Sequence, residues 1–473
     1  MLLAIDQGTT GTTCLVVDET LAIRGRGYRG LTQHFPAPGL VEHDAEEIWQ
    51  TVLAAVEAAL TDAGIGASEL RALGITNQRE TTVLWDRTTG RPVAPALVWQ
   101  DRRTAARCSG LPAELIRERT GLVPDPYFSA TKLEWLLAHT GAAGDLAFGT
   151  VDSWLAWKLT GEHVTDVSNA SRTMLLSLDS LAWDDELLAL FSVPHSLLPE
   201  VVSSSGELGE ATLLGASIPL TGMAGDQQAA LFGQTCFAAG RAKVTYGTGA
   251  FVLANAGSER PSAAPGVLAT VAWRLGDEPV VYALEGSVFA AGAAIQWLRD
   301  GLGLIEDAAE TEALARSLAG NDGVHFVPAL TGLGSPHWRP DARGLISGLT
   351  RGTRREHLVR AALEAIAFQT SDVLAAMDLE LELLRADGGA AANGFLLQFQ
   401  ADVARVPVEV PAEREATALG AAALAGLGAG VWDDTAELEC GWRCAARYEP
   451  ELDTAEARRL VEGWHDALRR TLA

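Results

Sequence analysis

The stretch LLAIDQGTTGTTCLVV at residues 2–17 places a turn rich in glycine and threonine between two apolar runs. Short apolar runs on either side of such a turn predict a β-hairpin. Glycine lets a ligand approach the backbone, and the amide N–H groups of the turn can bind an anion. Asp6 stands at the mouth of the turn, where its carboxylate could face a metal ion. The stretch therefore predicts a phosphate-binding hairpin, although a turn of this composition is in itself common.

Two further glycine-rich turns occur later in the chain, YGTG at residues 246–249 and DGGAAAN at residues 387–393. The first again lies between apolar runs, and the second precedes a stretch with a helical pattern, residues 395–403. A turn that leads into a helix brings its backbone N–H groups close to a bound anion. None of the turns matches the GxxxxGK[ST] phosphate loop or the GxGxxG dinucleotide fingerprint. We therefore expect a nucleotide site between two lobes, each contributing a phosphate-facing turn.

The pattern of apolar residues indicates an α/β protein with two similar halves. In the first half, Asp44 is the predicted N-cap of a helix, and Glu47 is placed to complete a capping box. Apolar residues at every fourth position from 48 to 60 give this helix one buried face. The second half starts again with a strand, a glycine-rich turn and a strand. Because 473 residues are too many for one core, we predict two lobes, residues 1–237 and 238–473.

The composition is that of a globular protein with an excess of acidic residues. Hydrophobic residues make up 48% of the chain, and 61 acidic against 36 basic residues give a net charge of −25. Nucleic acid and anionic membrane surfaces would be repelled, so we expect neither as a partner. Five scattered cysteines indicate a reducing compartment. We also find no pattern of a signal peptide, and therefore expect a cytoplasmic protein that does not insert into a membrane.

The three turns, in this order, resemble the two phosphate loops and the adenosine loop of the actin-like ATPase superfamily. Nearly the whole chain resembles the FGGY carbohydrate kinases of that superfamily, and specifically their glycerol-phosphorylating members. The matching segments include GITNQRETT at 74–82, VWQDRRT at 98–104, NASRTML at 169–175, AGDQQAALFGQ at 224–234 and YALEG at 282–286. The resemblance implies two actin-like (ribonuclease H-like) α/β lobes with the active site in the cleft between them.

The resemblance also implies a reaction, the transfer of phosphate from ATP, with Mg²⁺, to glycerol. Asp226 matches the general base that accepts a proton from the attacking hydroxyl, and Asp6 matches the carboxylate on the Mg²⁺ side. The residues that match contacts to the polyol are Arg79, Glu80, Tyr127, Asp226 and Gln227 for the hydroxyl groups, and Trp99 and Phe251 for the carbon atoms. The residues that match contacts to ATP are Thr9, Thr10, Gly11, Thr248, Gly292, Gln296, Gly389 and Asn393.

One position departs from the pattern of the resembled family. The related kinases usually continue the first loop as Thr-Ser-Ser-Arg, whereas this chain has TGTT at residues 10–13. The arginine that would face the nucleotide phosphates is thus replaced by Thr13. Mg²⁺ and the backbone amides of the loop would then carry the binding of the phosphates.

Two alternatives stay open at this point. The chain could be an FGGY kinase for another polyol or a ketose, or a catalytically inactive relative that binds a ligand. The set of matching hydroxyl-binding residues favours glycerol, and the presence of both Asp6 and Asp226 favours an active enzyme. Family members are often dimers or tetramers, so the resemblance implies a homodimer or a homotetramer.

Overall fold

The structure is a computed structural model that describes residues 1–141 and 144–473. Its strands are β1 (Leu2–Gln7), β2 (Gly11–Val17), β3 (Ile23–Gly30), β4 (Glu42–His43), β5 (Ala72–Asn77), β6 (Val83–Asp86), β7 (Arg91–Pro92), β8 (Ala96–Leu97), β9 (Leu146–Gly149), β10 (Val164–Asp166), β11 (Glu200–Val202), β12 (Ser205–Leu213), β13 (Ala216–Gly225), β14 (Arg241–Tyr246), β15 (Ala250–Gly257), β16 (Leu268–Trp273), β17 (Val281–Val288), β18 (His325–Val327), β19 (Leu345–Ser347), β20 (Leu383–Asp387), β21 (Val408–Pro411) and β22 (Cys444–Tyr448).

Its α-helices are α1 (Ala45–Ala63), α2 (Ala105–Cys108), α3 (Ala113–Thr120), α4 (Ser129–His139), α5 (Val151–Thr160), α6 (Val167–Ala170), α7 (Asp185–Leu190), α8 (Asp226–Gly233), α9 (Gly292–Gln296), α10 (Glu310–Arg316), α11 (Arg355–Ala376), α12 (Gly394–Ala404), α13 (Ala416–Gly428), α14 (Thr435–Gly441) and α15 (Thr454–Leu472).

The first lobe is built on a six-stranded sheet with the strand order β12-β13-β5-β1-β2-β3. Strands β1 and β2 form the predicted hairpin and are antiparallel. On its other side β1 is parallel to β5, with Asp6 beside Thr76, and β5 is parallel to β13, with Asn77 beside Gly225. The carboxyl ends of the three parallel strands therefore meet at one edge of the sheet. The segments that follow β1, β5 and β13 all leave the sheet there.

The second lobe repeats this arrangement in a seven-stranded sheet with the order β16-β17-β15-β14-β20-β21-β22. Strand β14 pairs antiparallel with β15 on one side and parallel with β20 on the other, where Thr245 lies beside Asp387. Thus β14 and β15 stand in the second lobe as β1 and β2 stand in the first. The prediction of an α/β protein whose second half opens as the first does is confirmed.

Helix α1 begins where the sequence predicts, but its capping box does not form. Asp44 Oδ1 accepts hydrogen bonds from the N–H groups of Glu46 and Glu47, at 2.8 and 3.4 Å, and is the N-cap. The carboxylate of Glu47 instead accepts the N–H and hydroxyl groups of Thr32, at 3.0 and 2.7 Å. Glu47 thus binds Thr32, in the loop after β3, instead of the backbone at the N-terminus of its own helix. The predicted apolar face of the helix, at 48, 52, 56 and 60, is buried.

Helix α13 comes from the second half of the sequence, yet it packs against β1, β5, β13 and α8 of the first lobe. The contact is close because glycines lie where the backbones meet. A Cβ atom on Gly420 would overlap the carbonyl oxygen of Ala229 in α8, and one on Gly74 of β5 would overlap that of Ala421. The helix therefore covers one face of the first sheet at a distance that only glycine permits. Within residues 1–141 and 144–473, we find no helix long and apolar enough to cross a membrane.

We expect the substitution Gly420→Ala to destabilise the protein by about 1–3 kcal/mol, because the added methyl group must push two helix backbones apart. The measurement is the midpoint of thermal unfolding, followed by circular dichroism. The matched control is Gly441→Ala at the end of α14, where a Cβ atom meets no atom within 4 Å. Equal midpoints for both variants would contradict the close packing of α13.

Candidate active site

The edge where β1, β5 and β13 end brings together the acidic residues predicted from the sequence. Asp6 lies near the end of β1, Glu80 follows β5 and Asp226 is the first residue of α8. Asp226 Oδ1 lies 3.3 Å from Arg79 Nε, and the Asp226 side chain is 30% exposed. Burial raises the pKa of Asp226, an effect that Arg79 and Lys243 oppose. The edge therefore presents an accessible carboxylate whose proton affinity is raised.

Arg79 and Glu80 are held in a buried cluster of charges that spans both lobes. Arg79 Nη1 and Nη2 donate to the two carboxylate oxygens of Glu285, on β17 of the second sheet, at 2.5 and 3.1 Å. Arg172 donates to Glu80 at 2.7 Å and to Glu285 at 2.9 Å. The four side chains are at most 3% exposed. Glu80 also has φ +63°, a strained conformation for this residue that the surrounding bonds hold in place.

Arg172 and Glu285 were missed as site residues, although both lie in segments used for the resemblance. The signal that could have found Glu285 is a lone carboxylate within the apolar strand VYALEGSV. A carboxylate there has to be buried, and a buried carboxylate needs cationic partners. The sequence does not say which arginines these are.

Two aromatic side chains, Tyr127 and Trp99, lie beside the charge cluster. Arg79 Nη2 donates to the hydroxyl group of Tyr127 at 3.3 Å. The rings of Trp99 and Tyr127 meet edge to face, with centroids 5.5 Å apart. Trp99 Nε1 donates to the hydroxyl oxygen of Thr9 in the first glycine turn, at 2.9 Å. The predicted polyol-binding aromatics of the first lobe thus connect the charge cluster to the phosphate hairpin.

Phe251 lies on the second sheet, on the same face as Glu285. It pairs with Thr245 of β14 and Ser287 of β17, and side chains two residues apart along a strand share a face. Lys243 is also on this face, and its buried ammonium group donates to Thr245 Oγ1 at 2.9 Å. The second sheet therefore carries Lys243, Phe251 and Glu285 in one row on the face towards the first lobe.

Lys243 links this row to the predicted residue Gln227. Its Nζ donates to Gln227 Oε1, across the boundary between the lobes. Burial lowers the pKa of Lys243, while Asp387 and Asp226 favour its charged form. Sequence reasoning missed this residue. A lysine inside a strand, in a chain with three lysines, is the signal that could have found it.

The first two glycine turns have the closed, hydrogen-bonded geometry of a hairpin tip. In the first, the N–H of Gly8 donates to the carbonyl of Gly11 at 2.9 Å, and Thr10 is exposed. In the second, the N–H of Gly247 donates to the carbonyl of Gly249 at 2.8 Å, and Thr248 is exposed. Both tips leave hydroxyl and amide groups open to a ligand.

The nucleotide residues predicted in the second lobe collect around the turn at 246–249. The N–H of Gly292, the first residue of α9, donates to the carbonyl of Gly247 at 3.0 Å. A Cβ atom at Gly292 would lie 2.6 Å from that carbonyl oxygen, so glycine is needed for the approach. Gln296 ends the same short helix and is exposed. The structure thus places Gly292 directly against the second glycine turn.

The third glycine turn meets the second at the ends of the parallel strands β14 and β20. Gly388 has φ +86°, and a Cβ atom there would collide with the backbone of Tyr246. Gly389 is exposed, and Asn393 caps helix α12 by accepting the N–H of Leu396 at 3.0 Å. Thr248, Gly292, Gly389 and Asn393 are therefore carried by adjoining segments.

The electrostatics around Asp6 fit a cation. Burial, together with the nearby carboxylates of Asp226 and Glu415, raises the pKa of Asp6 to about 8. Crowded carboxylates of this kind are stabilised by a positive charge between them. Residues 1–141 and 144–473 contain no group of three or more His, Cys, Asp or Glu side chains placed to hold a metal ion.

Known proteins match the chain over nearly its whole length. The family model of the FGGY carbohydrate kinases matches with its N-terminal domain at residues 1–233 and its C-terminal domain at residues 242–429. The chain is 55% identical to the glycerol kinase of Dechloromonas aromatica, covering 100% of this chain and 97% of that protein. It is 50% identical to glycerol kinase 2 of Thermotoga maritima, covering 100% of this chain and 98% of that protein.

A solved structure agrees with these matches. The crystal structure of Plasmodium falciparum glycerol kinase with ADP has a TM-score of 0.95 to this chain at 36% identity, covering 100% of this chain and 98% of that one. Two family models in the expected order and a full-length relative at 55% identity lead to one conclusion. The chain belongs to the FGGY family of carbohydrate kinases.

Proposed function

We propose that this chain phosphorylates glycerol with ATP to give sn-glycerol 3-phosphate. The observation that carries the proposal is Asp226, a partly exposed carboxylate 3.3 Å from Arg79, at the edge of the first sheet where Asp6 and Glu80 also lie. The relatives named glycerol kinase, at 50 and 55% identity over the full chain, support the choice of glycerol over a ketose.

The polyol would bind through Arg79, Glu80, Tyr127 and Gln227, with Trp99 and Phe251 against its carbon atoms. An uncharged polyol needs directed donors and acceptors for each hydroxyl group, since a buried hydroxyl without a partner costs free energy. Glu80 and Gln227 offer acceptors, and Tyr127, whose oxygen accepts a hydrogen bond from Arg79, offers a hydroxyl donor. Their own hydrogen bonds to Arg172, Lys243 and Glu285 fix these side chains before the substrate arrives.

Asp226 would act as the general base. Phosphoryl transfer depends mainly on positioning and charge stabilisation, and the attacking hydroxyl must lose its proton along the way. Burial raises the proton affinity of Asp226, while Arg79 and Lys243 keep the carboxylate form accessible. The primary hydroxyl group of glycerol would attack the γ-phosphorus of ATP and pass its proton to Asp226, while the bond from that phosphorus to the bridging oxygen breaks and ADP leaves.

ATP would bind across the two lobes, between Thr9, Thr10 and Gly11 of the first and the adjoining segments that carry Thr248, Gly292, Gln296, Gly389 and Asn393 in the second. Mg²⁺ would be held at Asp6, directly or through water, and would neutralise charge on the phosphates when bound. Burial and the nearby carboxylates of Asp226 and Glu415 raise the pKa of Asp6, and a cation at this place would favour its ionised form.

The organisation of the chain is part of the same proposal. We assign residues 1–237 to the first lobe and residues 238–473 to the second, with helix α13 packing back onto the first sheet. We also propose a cytoplasmic location, and a homodimer or homotetramer because members of the family often form dimers or tetramers. Light scattering on the purified protein measures the oligomeric state directly.

The proposed function is tested by measuring the release of ADP over a panel of glycerol, xylitol, ribitol and xylulose. We expect glycerol to give the highest kcat/KM. The highest value on a pentitol or on xylulose would instead indicate another FGGY kinase. No release of ADP with any of these compounds, from folded protein with Mg²⁺ present, would indicate an inactive relative.

We expect Asp226→Asn to lower kcat by about 10²–10⁴-fold, because the amide cannot accept the proton of the attacking hydroxyl. Binding of glycerol, measured by calorimetry, should stay within a few-fold of wild type. The control is Asp341→Asn, an exposed carboxylate paired with Arg339 outside the site. Near-normal turnover of the Asp226 variant would rule out its role as the base.

We expect Gly388→Ala to raise the KM for ATP about tenfold or more and to leave the KM for glycerol near the wild-type value. The methyl group at φ +86° would push the third glycine turn away from Tyr246 and displace the nucleotide residues that follow. Gly320→Ala, where a Cβ atom meets nothing within 4 Å, is the control. A rise in the KM for glycerol of the same size would place the third turn outside the nucleotide site.

A further inference from the structure

The charge cluster contains two arginines whose guanidinium groups both donate to one carboxylate. Glu285 accepts from Arg79 Nη1 and Nη2 at 2.5 and 3.1 Å, and from Arg172 Nη2 at 2.9 Å. Burial acts to raise the pKa of Glu285, but Arg172 and Arg79 hold it at about 2, so the carboxylate is ionised at any working pH. A single side chain from the second lobe thus engages both cations of the first.

The other donors of Arg79, and Nε of Arg172, also have partners within the protein. Arg79 Nε faces Asp226 at 3.3 Å, and its Nη groups also reach Gln228 and Tyr127. Arg172 Nε donates to Glu80.

Arg172 Nη1 is buried, without a hydrogen-bond partner among the described residues. The guanidinium group of Arg172 lies over the rings of Phe128 and Tyr127, at 5.2 and 5.8 Å. Three carboxylates therefore surround two guanidinium groups, and the part of the chain that the structure describes presents no free arginine cation at this end of the site.

We propose that Glu285 is a specificity-determining residue that reserves the site for uncharged polyols and excludes three-carbon acids such as glycerate. Glycerate carries the same two adjacent hydroxyl groups as glycerol and a carboxylate in place of the third. Arg79 would be a natural partner for that carboxylate, since arginine binds carboxylates through two parallel hydrogen bonds. Glu285 already occupies that pair of donors, and its charge repels a second anion.

This inference rests on the proposed function, because it assigns a basis for substrate choice to the same site. The inference also gives a reason for the buried carboxylate of Glu285, which neutralises the two arginines. A buried arginine pair without Glu285 would be an anion site. The second sheet supplies the neutralising charge from the face that also carries Phe251 and Lys243.

The test is the inhibition constant of D-glycerate against glycerol in wild type and Glu285→Gln, with direct binding measured by calorimetry. We expect glycerate to bind about 10- to 100-fold more tightly to the variant, the range of one charge-assisted hydrogen-bonded pair. Glyceramide, which has the shape of glycerate without its charge, should gain much less. An unchanged inhibition constant for glycerate, or an equal gain in affinity for glyceramide, would overturn the inference.

Two further variants separate charge from packing. The double variant Glu285→Gln with Arg172→Gln removes one charge of each sign, and we expect it to bind glycerate clearly less tightly than Glu285→Gln does. Equal affinities in the two variants would count against a charge effect. If Glu285→Gln is not recovered folded, Glu285→Asp serves in its place, because its shorter side chain releases the paired donors of Arg79 while it keeps the charge. A smaller gain in the affinity for glycerate is expected, and an unchanged inhibition constant would count against the occupation of those donors.

The matched control is Glu409→Gln on β21, a buried carboxylate that pairs with Arg385 at 3.2 Å outside the site. It should leave the inhibition constant of glycerate at its wild-type value, and a gain equal to that of Glu285→Gln would overturn the inference. A wild-type protein that fails to phosphorylate glycerol would refute the proposed function instead. Calorimetry would then still measure whether glycerate and glyceramide bind differently to the variants, so the two failures are distinguishable.

Discussion

The bidentate contact between Arg79 of the first lobe and Glu285 of the second is the constraint on which the substrate side of this protein depends. Both side chains are nearly inaccessible to water, and burying either charge without the other would lower the folding stability by several kcal/mol. Each lobe thus needs the other to complete its charge balance. Arg79 in turn contacts Asp226 and Tyr127, so the contact between the lobes also helps to position these two side chains.

The glycine turns of the second lobe meet through backbone geometry rather than through charged side chains. Each sheet has an inner strand, β1 in the first and β14 in the second, that pairs antiparallel with the next strand of the chain on one side and parallel with a later strand on the other. In the second lobe this brings the turn after β14 against the turn after β20, and Gly388 and Gly292 remove the side chains that would keep the segments apart. Amide and hydroxyl groups are then available to phosphates in a protein whose net charge is −25.

The cations of the site are few and each has a fixed partner. Lys243 is tied to Gln227 and Thr245, and Arg172 to Glu80 and Glu285. By contrast, burial and the nearby carboxylates of Asp226 and Glu415 raise the pKa of Asp6 to about 8. A site with fixed cations and crowded carboxylates suits a neutral substrate and a nucleotide that arrives with its own metal ion. The replacement of the family's loop arginine by Thr13 is consistent with phosphate binding that relies on backbone amides.

The hairpin at residues 2–17 and the α/β class could be predicted from the sequence by itself, because apolar periodicity and glycine turns are local patterns. The family followed from the resemblance of long segments to known carbohydrate kinases. The sequence also predicted Asp226 and Arg79 as site residues, and the structure places Arg79 Nε 3.3 Å from Asp226 Oδ1. Tertiary structure alone decided that Glu47 bonds Thr32, that α13 covers the sheet of the other half, and that Glu285, Arg172 and Lys243 join the site. These are contacts between residues far apart in the chain, and a sequence pattern carries no information about which buried charges will meet.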